Sequence, residues 1–140
     1  MAFVQIPSMR SDNPDVIDPG VDVNHAIKGF VYRDRQAVIL RLPEPFVDDY
    51  IKKAGLARNR VYAVVQIDER TNSLRVTLSG PRRPDGAFKV SSKGREIWSK
   101  GLFVSGMFDS LVDGDRAYFD MIAWDHSTAD FSLDPHFLEK

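Results

Sequence analysis

Residues 59–65, NRVYAVV, and residues 115–121, DRAYFDM, hold the same place in two successive runs of strand, strand, helix, strand, strand. RDRQ at 33–36 lies over SSKG at 91–94 in the same way. The offset is 58 residues before the helix and 56 after it, so the second copy is two residues shorter around that helix. An internal repeat of this kind settles architecture more firmly than any single element does. In the first copy GFVYRD and QAVILRL flank a polar turn at Asp34-Arg35. PEPFVDDYIKKAG follows, with proline in its first turn, Phe46, Tyr50, Ile51 and Ala54 at helical spacing, Lys52 and Lys53 in the last turn and Gly55 as the stop. RVYAVVQI and SLRVTLSG then flank DERTN as a second hairpin. The second copy reads FKVSS and REIWS around KG, a short helix in GLFVSGMFDSL, a VDGD turn, then RAYFDMIAW and ADFSL around DHST.

Each copy has roughly 50 residues, too few to build a core alone, so the two must bury their apolar faces against each other. The expectation is a mainly β protein with two short helices, a pseudo-twofold β-barrel that is closed or nearly closed. Closure also removes exposed strand edges. The boundaries follow: an extended arm at 1–27, a first repeat at 28–79, the linker PRRPDG within 80–86, a second repeat at 87–134 and a tail at 135–140. The arm, with PSMRSDNPDVIDPG, has three prolines and little periodicity.

Charge is unevenly spread along the 140 residues. Residues 1–30 sum to −2, residues 31–110 to +6 and residues 111–140 to −5. The middle suits a polyanion and the ends suit a screening or binding role elsewhere, although a solvated surface can produce the same split. With no cysteine there is no disulfide framework, thiolate zinc site or cysteine nucleophile. MAFVQIPSMRSDNP lacks the basic and apolar regions of a leader, and no run approaches the roughly 18 apolar residues of a membrane span. The chain therefore reads as cytoplasmic.

The stretch FKVSSKGREIWSKGLFVSGMFDSLVDGDRAYFDMI resembles the swapped-hairpin domain of the AbrB/SpoVT family of transition-state regulators and antitoxins. The matching positions are Lys93, Gly94 and Arg95, then Gly114, Asp115 and Arg116, then Tyr118 and Phe119. The first copy matches through Leu42-Pro43, AGL and RNRVY. Two copies in one chain resemble the tandem, MraZ-like members, in which one polypeptide supplies the whole double-psi-like barrel. Departures are Arg35-Gln36 in place of the turn glycine, WSKG in place of the apolar-proline step, and Asp48-Asp49 where DNA-binding members often carry basic residues. Those two aspartates also suit a helix N-terminus.

The resemblance implies binding of double-stranded DNA through basic side chains of the first hairpin of each half. Carried across by position, the candidates are Arg33, Arg35 and Arg41 in the first copy and Lys89, Lys93, Arg95 and Lys100 in the second. Arg82 and Arg83 in the linker are candidates for added phosphate contacts. Such cations displace condensed counterions, and arginine also reads guanine. In extended chain Arg33 and Arg35 would share a face, as would Lys93 and Arg95. Trp98, in the basic hairpin, is either core or a stacking surface, and Trp124 is read as core or rim.

Other chemistry is weakly represented. His25, His126 and His136 have no partner at metal-ligand spacing. Asp113, Asp115 and Asp120 belong to a turn more than to a calcium loop, and Ser91, Ser92 and Ser105 lack a base and an orienting acid. The expectation is a DNA-binding regulator or antitoxin-like protein, not an enzyme, with no cofactor or metal, acting as a homodimer across two half-sites. The competing reading is a protein-interaction module on the same scaffold, engaging a partner through its acidic termini. The two differ on whether the seven hairpin cations converge on one face with Asp48 and Asp49 turned away.

Overall fold

A computed structural model describes residues 23–105, 108, 111 and 116–138. Ten strands and two short helices are assigned there, so the protein is mainly β. Most of the expected arm, the VDGD turn with Asp113, Gly114 and Asp115, and the end of the tail lie outside the described residues.

The first hairpin joins β1 (Ile27–Tyr32) to β2 (Ala37–Arg41) through a 3-10 turn at Arg33–Arg35. Helix α1 (Glu44–Ala54) carries Pro45 in its first turn. Its buried side chains are Phe46, Val47 and Tyr50, three and four residues apart as one helical face demands. It stops at Gly55, whose φ of 68° turns the chain left-handed while its N–H donates to the Ile51 carbonyl at 2.9 Å. The second hairpin joins β3 (Tyr62–Asp68) to β4 (Ser73–Ser79). In the second half come β5 (Phe88–Lys89), β6 (Glu96–Ser99), α2 (Lys100–Ser105), β7 (Arg116–Phe119), β8 (Met121–Asp125) and β9 (Thr128–Ser132). The WSKG step starts α2 without proline: buried Ser99 accepts the Leu102 N–H on its hydroxyl at 3.0 Å, a serine cap.

The expected closed barrel is not what the chain forms. It makes two open five-stranded antiparallel sheets, ordered β10-β7-β1-β2-β6 (sheet A) and β5-β3-β4-β9-β8 (sheet B). Two breaks separate them. The strand expected across RAYFDMIAW divides at Asp120, β7 pairing with β1 and β8 with β9. The β5–β6 hairpin is a turn and not a ladder, drawn in where the Ser91 hydroxyl accepts the N–H groups of Gly94 and Glu96. The segment expected to be a tail supplies β10 (His136–Leu138), paired with β7.

Each sheet draws strands from both halves, as the shortage of core in one copy requires. Leu40, Phe46, Leu74, Ile97, Phe119 and Phe131, all essentially buried, join one apolar cluster between the sheets and α1. Each such side chain contributes about 1.5–3 kcal/mol through burial. The registers also correct the alignment of the copies. Gln36 and Arg95, 59 residues apart, both sit left-handed at φ 51° and 53° as the turns re-enter β2 and β6. With that offset Ile39 faces its own counterpart, Trp98, and one residue less would put core residues opposite solvent-facing ones.

Candidate nucleic-acid interface

Alternation along β1, β2, β6 and β7 sends one set of side chains into the core and the other outward. Ile27, Val31, Val38, Leu40, Ile97, Ala117 and Phe119 go in. The outward set is unusual for a solvated sheet. One row crosses all five strands through matched partners: His136, Tyr118, Lys28, Arg41 and Glu96. Arg116 joins this face by alternation with Tyr118. Lys28 titrates below the usual lysine range, first because burial penalises its charge, then because Arg41 and Arg116 repel it; Glu96 opposes them. Glu96 accepts from the Arg41 guanidinium at 2.7 Å, while Arg41 Nε is buried without a hydrogen-bond partner.

Two to four residues further along the strands the face becomes aromatic. Tyr32 pairs with Ala37 and Trp98 with Ile39, and the two rings stack over β2 with centroids 5.8 Å apart and planes 22° from parallel. Their meeting explains why Ala37 and Ile39 are buried although they point away from the core. Tyr32 and Trp98 themselves remain 46% and 44% exposed, and the Arg35 guanidinium lies 5.7 Å from the indole centroid. Beside the cationic row, a groove of about 520 Å³ opens between Lys28, Arg41, Arg95, Tyr118 and the start of α1 at Pro43–Pro45.

The nine sequence candidates do not gather on one face. The two turns sit at opposite ends of the antiparallel β2·β6 ladder, which runs from Val38 opposite Ser99 to Arg41 opposite Glu96, about 10 Å. Arg33 and Arg35 do not share a direction either, because the turn is 3-10 and not extended. Arg33 donates to the Leu111 carbonyl at 2.8 Å and lies against Phe103, while Arg35 reaches Trp98. Lys100, exposed, opens α2 at the Arg35 end. At the other end are Arg41, exposed Lys93, and Arg95, which lies 3.4 Å from the Leu42 carbonyl and 3.9 Å from Glu44.

Arg83, in the linker, and Lys89, in β5 of sheet B, both lie over the Tyr62 ring, at 5.9 and 5.4 Å. They also donate to the carbonyls of Ala87 and Asn59. Arg82 is exposed in the linker beside them. Asp48 and Asp49 are in the middle of α1 and not at its N-terminus, and are neutralised locally: Asp48 by Arg58 at 2.9 Å and Asp49 by Lys53 at 3.3 Å. Lys28, Arg116, Tyr32 and Tyr118 were not among the candidate binding residues, although Arg116 and Tyr118 were matching positions of the resemblance. Their signal was the polar or aromatic alternate position in IKGFVY and RAYF.

On sheet B the described cations Arg83 and Lys89 gather at the β5 edge around Tyr62, while the centre is occupied by an ion pair. At its centre Arg75 and Asp130 form a bidentate pair at 2.7 and 2.9 Å, which draws the Asp130 carboxyl below its usual range. Ser91, the serine of the basic turn, organises that turn by accepting the Gly94 and Glu96 N–H groups on its hydroxyl. His136 pairs with Asp120 at 3.1 Å. Among the described residues no cluster of three His, Asp or Glu could hold a metal ion, and no helix is long and apolar enough to cross a membrane.

No family model, curated protein or solved structure matches the chain.

Proposed function

We propose that the protein binds nucleic acid through the outer face of sheet A, as a non-enzymatic regulator or antitoxin-like protein. The observation that carries this reading is the coincidence on one face of the cations Lys28, Arg35, Arg41 and Arg116 with the exposed Tyr32–Trp98 stack. Cations supply sequence-independent affinity by displacing counterions, and exposed rings add contact area that phosphate alone does not use. The exchange of strands between the halves supports a swapped-hairpin relation in which the barrel has parted into two sheets. Duplex DNA is the partner implied by the family resemblance, with a homodimer spanning two half-sites.

Titration of labelled duplex, random-sequence and genomic, at several salt concentrations tests this. Affinity falls steeply with salt and drops in an Arg35→Ala/Arg116→Ala variant. Absence of binding to any nucleic acid at low salt removes the proposal.

A second reading, a protein-interaction module, is favoured by a different observation. Arg33, Arg41, Arg83, Lys89 and Arg95 are already engaged with carbonyls or Glu96 inside the fold. On that reading the same face meets an acidic partner, and excess duplex does not compete.

A further inference from the structure

We infer that the preferred ligand of this face is a single strand, bound by base stacking on the Tyr32–Trp98 pair with its phosphates along Lys28, Arg41 and Arg116. This inference rests on the nucleic-acid reading above and narrows it.

Three observations carry it. First, the two rings lie across the outside of a sheet, nearly parallel and close to half exposed. Paired bases present only their edges in a duplex groove, whereas the faces of Tyr32 and Trp98 suit an unpaired base. Second, Lys28 and Arg41 occupy one row and Trp98 the row two residues on, a step of about 7 Å, with Arg116 level with the second row and Arg35 beside the indole. A single strand laid along β2 can then place backbone against the first row and a base over the second. A duplex keeps its bases inside its backbones and leaves the rings unused. Third, the charge is in excess of its counter-charge: Lys28 is repelled by Arg41 and Arg116, with Glu96 as the opposing carboxylate. A phosphate relieves that crowding. Arg35, now over the indole, is exposed and yields its place to a base while its guanidinium turns to the adjoining phosphate.

The chemistry of an unpaired base on a phosphate chain is shared by DNA and RNA, so the test carries both. Fluorescence anisotropy is measured with labelled 12-mers of deoxythymidine and uridine and with a 12-base-pair duplex, across a salt series. The proteins are the wild type, Trp98→Leu, Trp98→Phe, Lys28→Gln/Arg116→Gln, and Arg70→Ala as a remote charge control in the sheet B turn. Folding of each is checked by thermal melting, and leucine keeps apolar cover over Ile39.

Either single strand binds at least tenfold more tightly than duplex. Trp98→Leu costs about tenfold on the single strand, within the range for loss of one stacked base, and leaves the salt slope alone. Trp98→Phe retains most of the affinity. Lys28→Gln/Arg116→Gln flattens the salt slope by one to two phosphates' worth. Arg70→Ala stays within twofold of wild type. A preference for one sugar assigns the strand as DNA or RNA. Duplex binding equal to or tighter than single strand, or wild-type single-strand affinity in a folded Trp98→Leu, overturns this inference and leaves the nucleic-acid reading standing. No binding of any oligonucleotide overturns both.

Discussion

Replacing Gly29 with alanine sets two opposing effects against each other. Gly29 lies in the middle of β1, between Lys28 and Phe30, and faces the core. A methyl group there would sit 2.7 Å from Cε2 of Phe119, against an ordinary carbon–carbon contact of about 3.5–4.0 Å. The ring must therefore move by about 1 Å, yet it is 1% exposed and meets Phe108 edge-on at a centroid distance of 5.5 Å. Overpacking of this kind costs about 1–3 kcal/mol. Alanine recovers about 0.5–1 kcal/mol because glycine is the poorer strand residue. The steric effect wins, and Gly29→Ala loses about 1 kcal/mol, a fall in Tm of about 3–5 °C. Urea denaturation shows a lower midpoint at unchanged m-value. Combined with Phe119→Leu, which frees the space, the substitution costs about 1 kcal/mol less than the sum of the single variants. A Gly29→Ala protein at least as stable as wild type, or strictly additive costs, refutes the reasoning.

Gln36, held at φ 51° and ψ 48°, predicts the reverse for its own substitution. Gln36→Gly relieves a left-handed residue worth about 1 kcal/mol and gives part of it back in unfolded-chain entropy, for a net gain of about 0.5 kcal/mol in thermal or urea unfolding. Asp130 has its folded pKa lowered chiefly by the hydrogen bond from Arg75, so its contribution is present above the ordinary carboxylate range near 3.8 and is lost as pH falls through the folded value. Asp130→Asn is accordingly less stable at pH 7, and the gap to wild type closes below pH 4 in acid unfolding curves. Lys28 has its folded pKa lowered from 10.5, so the unfolded chain holds more protons between the two values and stability rises with pH through that window. Lys28→Met is more stable than wild type at pH 7 and loses this alkaline gain. A Lys28→Met protein less stable at neutral pH, measured by guanidinium unfolding, contradicts the crowding of cations on sheet A.

The order of elements was legible because it is written in local signals. Proline and glycine punctuate α1, turn residues punctuate DERTN and DHST, and alternation marks the strands. Which strands share a sheet was not local. RAYFDMIAW reads as one strand, and only the competition of β1 and β9 for its two ends divides it at Asp120. The tail is short and has no long apolar run, so β10 follows from the open edge of β7, not from HFL itself. The candidate site suffered most from this. Choosing residues by hairpin membership selected the turns, whereas the face is made by alternate positions of strands distant in sequence. Lys28, Arg41 and Arg116 meet through pairing and not through spacing. Trp98 was noticed, but its stacking partner Tyr32, 66 residues earlier, becomes visible only when β2 lies between them.

The interleaving of the two halves also sets the order in which the chain can assemble. During synthesis β1–β2 and β3–β4 emerge first, and each is a two-stranded hairpin with both edges unpaired. Their flanking strands come from the second half; Ile27, for example, waits for Phe119, 92 positions on. Loop-closure entropy must be met before those long-range pairs form, so folding is slow for a chain of this size. Translation arrested in the linker near Pro81 leaves four raw strand edges and half a core, a species suited to aggregation or to pairing with a second incomplete chain.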